Sequence, residues 1–318
     1  MVQVVKVQVV KVEVSSVAKI VNGLVELTRD EAEAYYEAAN ELYDMYVEAA
    51  DYVIENNLFF DVGIPFNLID VIKKSWENDV HWHIYGRFCF NGGVDGEPIR
   101  LVKFDADAPQ YLLQTAQEQY ETLVENGIDE ELQFNEVYER VSENFKRLIT
   151  LFDDTELFEE RYDGWKILFS SLSSNEQEEL NTQFLQQMAE EAGFETGFEY
   201  LENTEFSEDG ISDSHGNSYE YWYKHYKWLE MSYDEPELLT TLTNIMDKQE
   251  AIILNPAYTA LFEAKGIEDI LRKLYPESPY FQSNEKDESE ITNVLFAYEA
   301  CGISFEKDGD FLGHCIKA

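Results

Sequence analysis

Apolar and polar residues follow two different periods along this chain, one typical of helices and the other typical of strands. After Thr28, apolar and aromatic side chains recur every three or four residues as far as Val53, which is the spacing of one helix face. Thr28 and Glu31 have the spacing of a capping box, so we predict that this helix begins just after Thr28. Similar patterns predict further helices over residues 65–76, 108–125, 133–152, 175–193, 234–247 and 257–275.

Short apolar and aromatic runs between these helices predict strands. They cover residues 85–90, 101–105, 165–169 and 219–226. A Gly-rich turn joins the first two runs, and a turn rich in Asp, Ser, Gly and Asn precedes the last run at residues 213–217. Strands that alternate with helices in this way indicate an α/β or α+β fold.

The first residues of the chain form a separate pattern. Within residues 2–14, Val-Gln-Val-Val-Lys occurs twice and is followed by Val-Glu-Val. This Val content favours extended backbone, and the odd repeat length places Val on both faces of a strand. We predict that residues 1–22 are a Val-rich N-terminal extension whose strand pairs with a sheet edge. That edge belongs either to the chain's own fold, which we favour, or to a neighbouring subunit. Residues 23–318 then form the main domain.

Composition narrows the class of protein. With 318 residues, 44% of them hydrophobic, the chain can bury a large core in one domain or in two closely packed domains. It carries 65 acidic and 23 basic residues, a net charge of −42. Such a surface repels phosphate backbones, which argues against nucleic-acid binding. It attracts cations, including polyamines, although an acidic surface ordinarily serves solubility.

The sequence also indicates the cellular compartment of the protein. It contains no apolar run near the roughly 20 residues that a transmembrane helix needs, and its first residues lack the features of a signal peptide. Cys89, Cys301 and Cys315 are widely spaced and form no Cys-x-x-Cys pair. Such spacing fits a reducing environment better than a disulfide framework or a zinc site. We therefore expect a cytoplasmic protein.

Two motifs resemble a known family. The run Tyr-Gly-Arg-Phe-Cys-Phe over Tyr85–Phe90, followed by Leu-Val-Lys-Phe-Asp-Ala-Asp-Ala-Pro over Leu101–Pro109, resembles the paired signature of the glutathionylspermidine synthase family of ATP-grasp ligases. The resemblance implies a trimmed ATP-grasp-like α/β architecture. Weaker landmarks follow in the family's order, at Ser75–Trp76, Gln133–Asn135, Ala189–Gly193, Tyr223–Trp228, Asn255–Pro276 and Glu299–Phe305.

The resemblance also implies a chemistry, ATP-dependent amide formation through an acyl phosphate with bound magnesium. Arg87 stands at the family's phosphate-contacting arginine, and Asp105 stands where the family has an asparagine metal ligand. Cys89 and Lys103 stand at the family's aspartate and glutamate metal ligands. A thiol suits softer metals than magnesium, and an ammonium repels a cation and favours a contact with a neighbouring acid. Lys265 stands at a lysine of the family that binds nucleotide phosphates.

The end of the chain is shorter than the resemblance requires. The family continues with a lysine-rich strand and a loop that covers the phosphates, whereas the stretch between Phe281 and Ile291 holds only polar and acidic residues. We therefore predict a reduced ATP-grasp lid over about residues 281–318.

Two functions remain open on this basis. In the first, which we favour, the chain is a divergent member that lacks ligase activity and serves as a structural or binding module. Such a module needs no cofactor and acts with protein partners or as a homo-oligomer. In the second, it is a working carboxylate–amine ligase that uses ATP and magnesium through Arg87, Asp105 and Lys265.

Other polar residues have simpler interpretations. His81 and His83 fall on one face of a predicted strand, a geometry able to bind zinc, but the sequence identifies no third ligand. We favour a polar, non-metal role for His83. Asp107 is interpreted as a cap for a helix that starts near Pro109.

Overall fold

The computed structural model describes residues 24–78, 80–129, 132–133, 135–282, 290–297, 300–308 and 310–316. The predicted N-terminal extension, residues 1–22, lies outside the described residues, as does most of the stretch between Phe281 and Ile291. The boundary between the extension and the main domain therefore stays a prediction.

Helices and strands alternate along most of the chain. The strands are β1 (Leu24–Leu27), β2 (Gly86–Asn91), β3 (Arg100–Asp105), β4 (Lys166–Ser171), β5 (Glu195–Phe198), β6 (Glu205–Ser207), β7 (Gly210–Ser212), β8 (Ser218–Tyr219), β9 (Tyr221–His225), β10 (Ile252–Leu254), β11 (Glu290–Ala297), β12 (Ala300–Lys307) and β13 (Asp310–Ile316). The helices are α1 (Arg29–Glu55), α2 (Ile69–Glu77), α3 (Gln119–Glu125), α4 (Val137–Thr150), α5 (Phe158–Arg161), α6 (Glu176–Ala192), α7 (Trp228–Asp234), α8 (Pro236–Lys248), α9 (Thr259–Phe262) and α10 (Ile267–Leu274).

A six-stranded sheet is the larger of the two main sheets, with the order β1-β13-β12-β11-β2-β3. The β1–β13 pair is parallel, and every other pair in this sheet is antiparallel. The hairpin of β2 and β3 confirms the two strands predicted from the sequence. Because β11 pairs with β2, the described residues near the C-terminus are built into the same sheet as the β2–β3 hairpin.

Helix α1 covers one face of this sheet. The Thr28 hydroxyl accepts a hydrogen bond from the Glu31 N–H at 3.3 Å, and the Glu31 carboxylate accepts the Thr28 N–H at 2.8 Å, which confirms the capping box. Buried side chains then recur along one face of α1, and among them Tyr46 packs on the rings of Phe88 and Phe104. These contacts join α1 and the aromatic face of the β2–β3 hairpin in the main hydrophobic core.

A four-stranded parallel sheet of order β10-β9-β4-β5 forms the second unit of sheet structure. Helix α6 connects β4 to β5. The Asn175 side chain caps its first turn, and Gly193 ends it with φ 107°, a left-handed conformation that favours glycine. Both ends of the predicted helix over residues 175–193 are thereby confirmed. A small antiparallel sheet, β6-β7-β8, contains the predicted turn at residues 213–217 between β7 and β8.

Two predicted elements differ from the structure. The helix predicted over residues 257–275 is interrupted between α9 and α10, because the backbone passes very close to the loop after α1 at this point. A Cβ on Gly266 would lie 2.6 Å from the Cα of Val62, and the Gly266 N–H donates to the Val62 carbonyl at 3.1 Å. The helix predicted over residues 108–125 begins only after Tyr111, whose φ of 70° is not helical, and a π-helical segment, Gln114–Glu118, leads directly into α3. Helix α7 is absent from the prediction.

None of the helices in the described part of the chain is both long enough and apolar enough to cross a lipid bilayer.

Candidate functional site

The β2–β3 hairpin brings the sequence-predicted site positions together on one face of the large sheet. In the register of this hairpin, Arg87 lies opposite Asp105 and Cys89 lies opposite Lys103. Alternate residues of a strand point to the same face, so these four side chains share the face of the sheet that is turned away from α1. The positions that the family resemblance assigns to a phosphate-binding arginine and three metal ligands are therefore neighbours.

The Asp105 carboxylate is surrounded by cations. The Arg87 guanidinium donates to it directly, the Lys227 ammonium lies 3.1 Å from Oδ1, and the Lys103 ammonium lies 3.5 Å from Oδ2. Arg87 and Asp105 are both buried. Burial alone would raise the pKa of Asp105, but the charges of Arg87, Lys227 and Lys103 hold it below its usual range. Asp105 is therefore a fixed anion at neutral pH. We call Asp105, Arg87, Lys227 and Lys103 the Asp105 cluster.

Arg87 has further partners on the same face. Its Nη1 donates to the Asn293 side-chain oxygen at 3.2 Å, and its guanidinium lies 4.7 Å from the centre of the Tyr111 ring. The Asn293 amide donates to Glu306 at 3.3 Å, which links the site to β12. The Cys89 sulfur lies 3.5 Å from the Asn293 oxygen, and burial raises the pKa of this thiol. At neutral pH Cys89 is therefore a protonated, buried thiol.

Lys227 connects the Asp105 cluster to the start of α7 and to the end of α9. Its ammonium lies 2.8 Å from Glu263 as well as 3.1 Å from Asp105. The other Glu263 oxygen accepts the backbone N–H groups of Ala106 and Asp107 at 2.9 and 3.0 Å. Burial would lower the pKa of Lys227, but the charges of Glu263 and Asp105 keep it above its usual range. Lys227 is therefore held as a cation between two carboxylates.

A second, fully buried ion pair lies next to the cluster. The Lys224 ammonium bonds the Asp107 carboxylate at 2.8 Å, and the two side chains are 0% and 1% exposed. The Asp107 carboxylate also accepts the backbone N–H of Trp228, the first residue of α7. The interpretation of Asp107 as a cap for a helix near Pro109 is therefore wrong: Asp107 caps α7 instead. The helix after Pro109 begins too late in the chain for Asp107 to reach its first turn.

Asn255 fixes the backbone around these ion pairs. Its side-chain oxygen accepts the Ile84 N–H at 2.9 Å, and its amide donates to the carbonyls of Ala106 and Asp107, each at 3.0 Å. Asn255 is fully buried at the end of β10. A single side chain of the parallel sheet thus holds the start of β2 and the end of β3 in place.

Lys265 lies apart from this arrangement. It is exposed on the turn between α9 and α10, where a Cβ added to Gly63 would lie 3.8 Å from the Lys265 Cβ. The ion pairs described for the Asp105 cluster do not include it. Its assignment as a nucleotide-phosphate ligand stays a prediction.

The predicted placement of the two histidines is wrong, because residues 81–85 do not form a strand. His83 is buried, donates from Nε2 to the Ala106 carbonyl at 2.8 Å, and stacks on the Tyr43 ring. Burial lowers the pKa of His81 and of His83 to about 4, so both are neutral at neutral pH. Within the described ranges, no group of three His, Cys, Asp or Glu side chains could hold a metal ion.

Sequence reasoning missed Lys224, Lys227 and Glu263 as members of the site. The first two carried a usable signal: they are lysines within an aromatic run, in a chain with only 23 basic residues. A lysine that interrupts a buried strand needs an acidic partner, because an unpaired buried charge is very costly. Glu263 gave no such signal, because its partners are distant in sequence.

Comparison with known proteins supports the resemblance. The family described as "Glutathionylspermidine synthase preATP-grasp" matches residues 20–312. A Haemophilus influenzae protein named as an acid–amine ligase is 29% identical over 128 residues, and this stretch covers 40% of the chain and 32% of that relative. The chain thus aligns with about a third of the relative's length.

A solved structure has the same fold. The apo structure of a glutathione synthetase-like effector from Globodera pallida superimposes with a TM-score of 0.54 at 11% identity, and covers 93% of this chain and 89% of its own. The predicted ATP-grasp-like α/β architecture is confirmed by this similarity together with the family match. From the match over residues 20–312, the chain belongs to the glutathionylspermidine synthase preATP-grasp family.

Proposed function

We propose that this chain is a non-catalytic member of its family that works as a binding or structural module. The observation that carries the proposal is the Asp105 cluster. Cationic side chains of the protein itself surround the one carboxylate that stands at a family metal-ligand position. In an active ligase of this kind, a metal ion and nucleotide phosphates are expected at such positions.

Magnesium does not fit the side chains of this site. It requires hard oxygen ligands in near-octahedral geometry, and the site offers a protonated thiol at Cys89, an ammonium at Lys103 and a carboxylate at Asp105. A divalent cation beside Asp105 would be repelled by the positive charges of Arg87, Lys227 and Lys103. Two unit charges about 4 Å apart interact by about 4 kcal/mol at the effective dielectric of a protein surface, so this repulsion is substantial.

Arg87 is also occupied by hydrogen bonds to other side chains of the protein. Arg87 uses one terminal nitrogen on Asp105 and the other on Asn293. To hold a phosphoryl group with its donor fork, it would have to abandon Asp105, a partner that holds it in a buried site. The loss of these two family contributions, the metal and the arginine, supports the absence of phosphoryl transfer.

What such a module binds follows from its surface. We propose a protein partner or a second copy of the chain, without a resident cofactor. The net charge of −42 also favours cationic ligands such as polyamines over anionic ones. Light scattering of the purified protein, alone and with spermidine, tests self-association and polyamine binding.

The deciding experiment is calorimetric titration with ATP and magnesium. We expect no saturable heat at millimolar nucleotide for the native protein. The matched variant is the triple substitution Cys89→Asp, Lys103→Glu and Asp105→Asn, which restores the family's ligand types on an otherwise identical face. In this variant, checked for folding by circular dichroism, we expect magnesium-dependent binding.

The opposite outcome is equally clear. Saturable, magnesium-dependent ATP binding by the native protein, abolished by Arg87→Lys, would refute the proposal. It would favour the second candidate, a carboxylate–amine ligase with a rebuilt site, which is the activity named for the Haemophilus influenzae relative.

A further inference from the structure

A cavity lies away from the Asp105 cluster. Its volume is about 660 Å³, and it lies between α1, the end of α2, residues 80–85 and the end of α4. None of the four residues of the Asp105 cluster is among the described residues that line it. Its size is within the range of pockets that enclose small organic molecules, roughly 300–1,000 Å³. A ligand in this cavity would therefore not contact the Asp105 cluster. An organic cation bound here would be one of the cationic ligands proposed above, and to that extent the inference rests on the proposed function.

Aromatic rings form much of its wall. The Trp76 and Tyr258 rings meet edge to face at 5.2 Å, and the Tyr43 and Phe296 rings lie 4.9 Å apart. Trp82 and Phe152 complete the lining on the side of α4. Aromatic faces carry negative charge density, so they attract organic cations as well as apolar groups.

The end of α4 is strained where it contributes to this wall. Leu151 and Phe152 are successive non-glycine residues with φ of 51° and 71°, in the left-handed region. Each such residue costs about 1–3 kcal/mol, and such strain is typical of ligand clamps and other functional sites. The distortion brings Phe152 against Trp82, although the Phe152 side chain remains 40% exposed.

The polar groups of the cavity determine the charge that it accepts. Asp44 of α1 is exposed and contributes a carboxylate, and none of the described lining residues is Lys or Arg. The Nδ1 atom of His81, which is 7% exposed, has no hydrogen-bond partner among the described residues. An anion in this cavity would meet a carboxylate and aromatic faces without a compensating cation. A cation would be attracted by the carboxylate and by the aromatic faces. The net charge of the protein, −42, adds to this attraction.

We propose that this cavity is a binding site for a small organic amine, with an aromatic or alkyl body between the aromatic walls and a cationic head near Asp44. The neutral His81 imidazole offers one hydrogen bond to a polar group of the ligand.

Three probes that share a phenyl ring and differ in their polar group distinguish the contribution of charge to binding from that of apolar contact. They are phenethylamine, phenethyl alcohol and phenylacetate. Binding to the full chain is measured by quenching of tryptophan fluorescence and by saturation-transfer NMR. We expect saturable binding of the amine, at least tenfold tighter than that of the alcohol, with the acid weakest. Asp44→Asn should reduce amine binding to the level of the alcohol. Asp51→Asn, an exposed carboxylate on the same helix but outside the cavity lining, should leave it unchanged.

Three outcomes would overturn the proposal. These are the absence of saturable amine binding at millimolar probe, equal binding of amine and alcohol, and equal loss of amine binding in Asp44→Asn and Asp51→Asn. The last result would assign the preference to the general acidity of the protein. Because neither exposed substitution removes a buried contact, both variants should fold, and thermal melts verify this.

Discussion

Substitution of Asp105 by Asn tests the central ion-pair arrangement most directly. The change keeps the size of the side chain and removes the charge that neutralises Arg87, whose side chain is only 3% exposed. Lys103 and Lys227 lose a partner too, but their side chains are 53% and 31% exposed, so solvent screens most of that loss. Leaving a buried charge unpaired typically costs about 3–5 kcal/mol, and we expect a loss of this size in the free energy of unfolding.

Urea denaturation at neutral pH, followed by tryptophan fluorescence, measures the effect. Arg87→Met in the Asp105→Asn background is the matched control, because it removes the unpaired charge and should recover much of the loss. A destabilisation below about 1 kcal/mol in the single variant, or no recovery in the double variant, would refute the assignment of Asp105 as the obligatory partner of Arg87.

The same substitution should change how stability depends on pH. The folded-state pKa of Asp105 lies below its usual value, so its contribution is complete above the unfolded-state pKa of about 4. The contribution is lost as pH falls through the lower folded-state pKa. We therefore expect the native protein to lose stability on acidification below about pH 4 more steeply than Asp105→Asn. Parallel slopes for the two proteins would contradict the depressed pKa.

Three further predictions concern single contacts, each measured by the urea midpoint. Lys224→Met leaves the buried Asp107 carboxylate without its ammonium and should cost about 3–5 kcal/mol, whereas a loss under about 1 kcal/mol would show that the pair is dispensable. Gly266→Ala places a Cβ 2.6 Å from the Cα of Val62 and should cost about 1–3 kcal/mol; a neutral result would mean that the loop moves freely. Thr28→Ala removes the side-chain cap of α1 and should cost about 1 kcal/mol, with Thr28→Ser as the control that retains it.

Sequence reasoning succeeded where a local pattern determines the structure. The cap at Thr28, the glycine end of α6 at Gly193 and the pairing of β2 with β3 all depend on neighbouring residues, so the sequence alone was sufficient to predict them. The placement of Arg87 and Asp105 on one face followed from the family resemblance and from strand alternation.

Sequence reasoning failed where segments that are distant in the sequence come into contact. The break between α9 and α10 depends on the approach of Gly266 to Val62, about 200 positions earlier in the chain. The role of Asp107 depends on α7, and its partner Lys224 lies 117 positions away. Such contacts leave no periodic signal, since tertiary packing overrides local propensity.

The Asp105 cluster has a consequence for how its positions can vary. A single substitution in the cluster leaves a charged partner uncompensated. Lys103→Glu replaces a cation beside Asp105 by a second carboxylate, and Asp105→Asn leaves buried Arg87 uncompensated. Substitutions of Lys103 and Asp105 are therefore expected to be tolerated better together than singly. The ion pairs thus couple these positions, and related sequences are expected to change them together rather than one at a time.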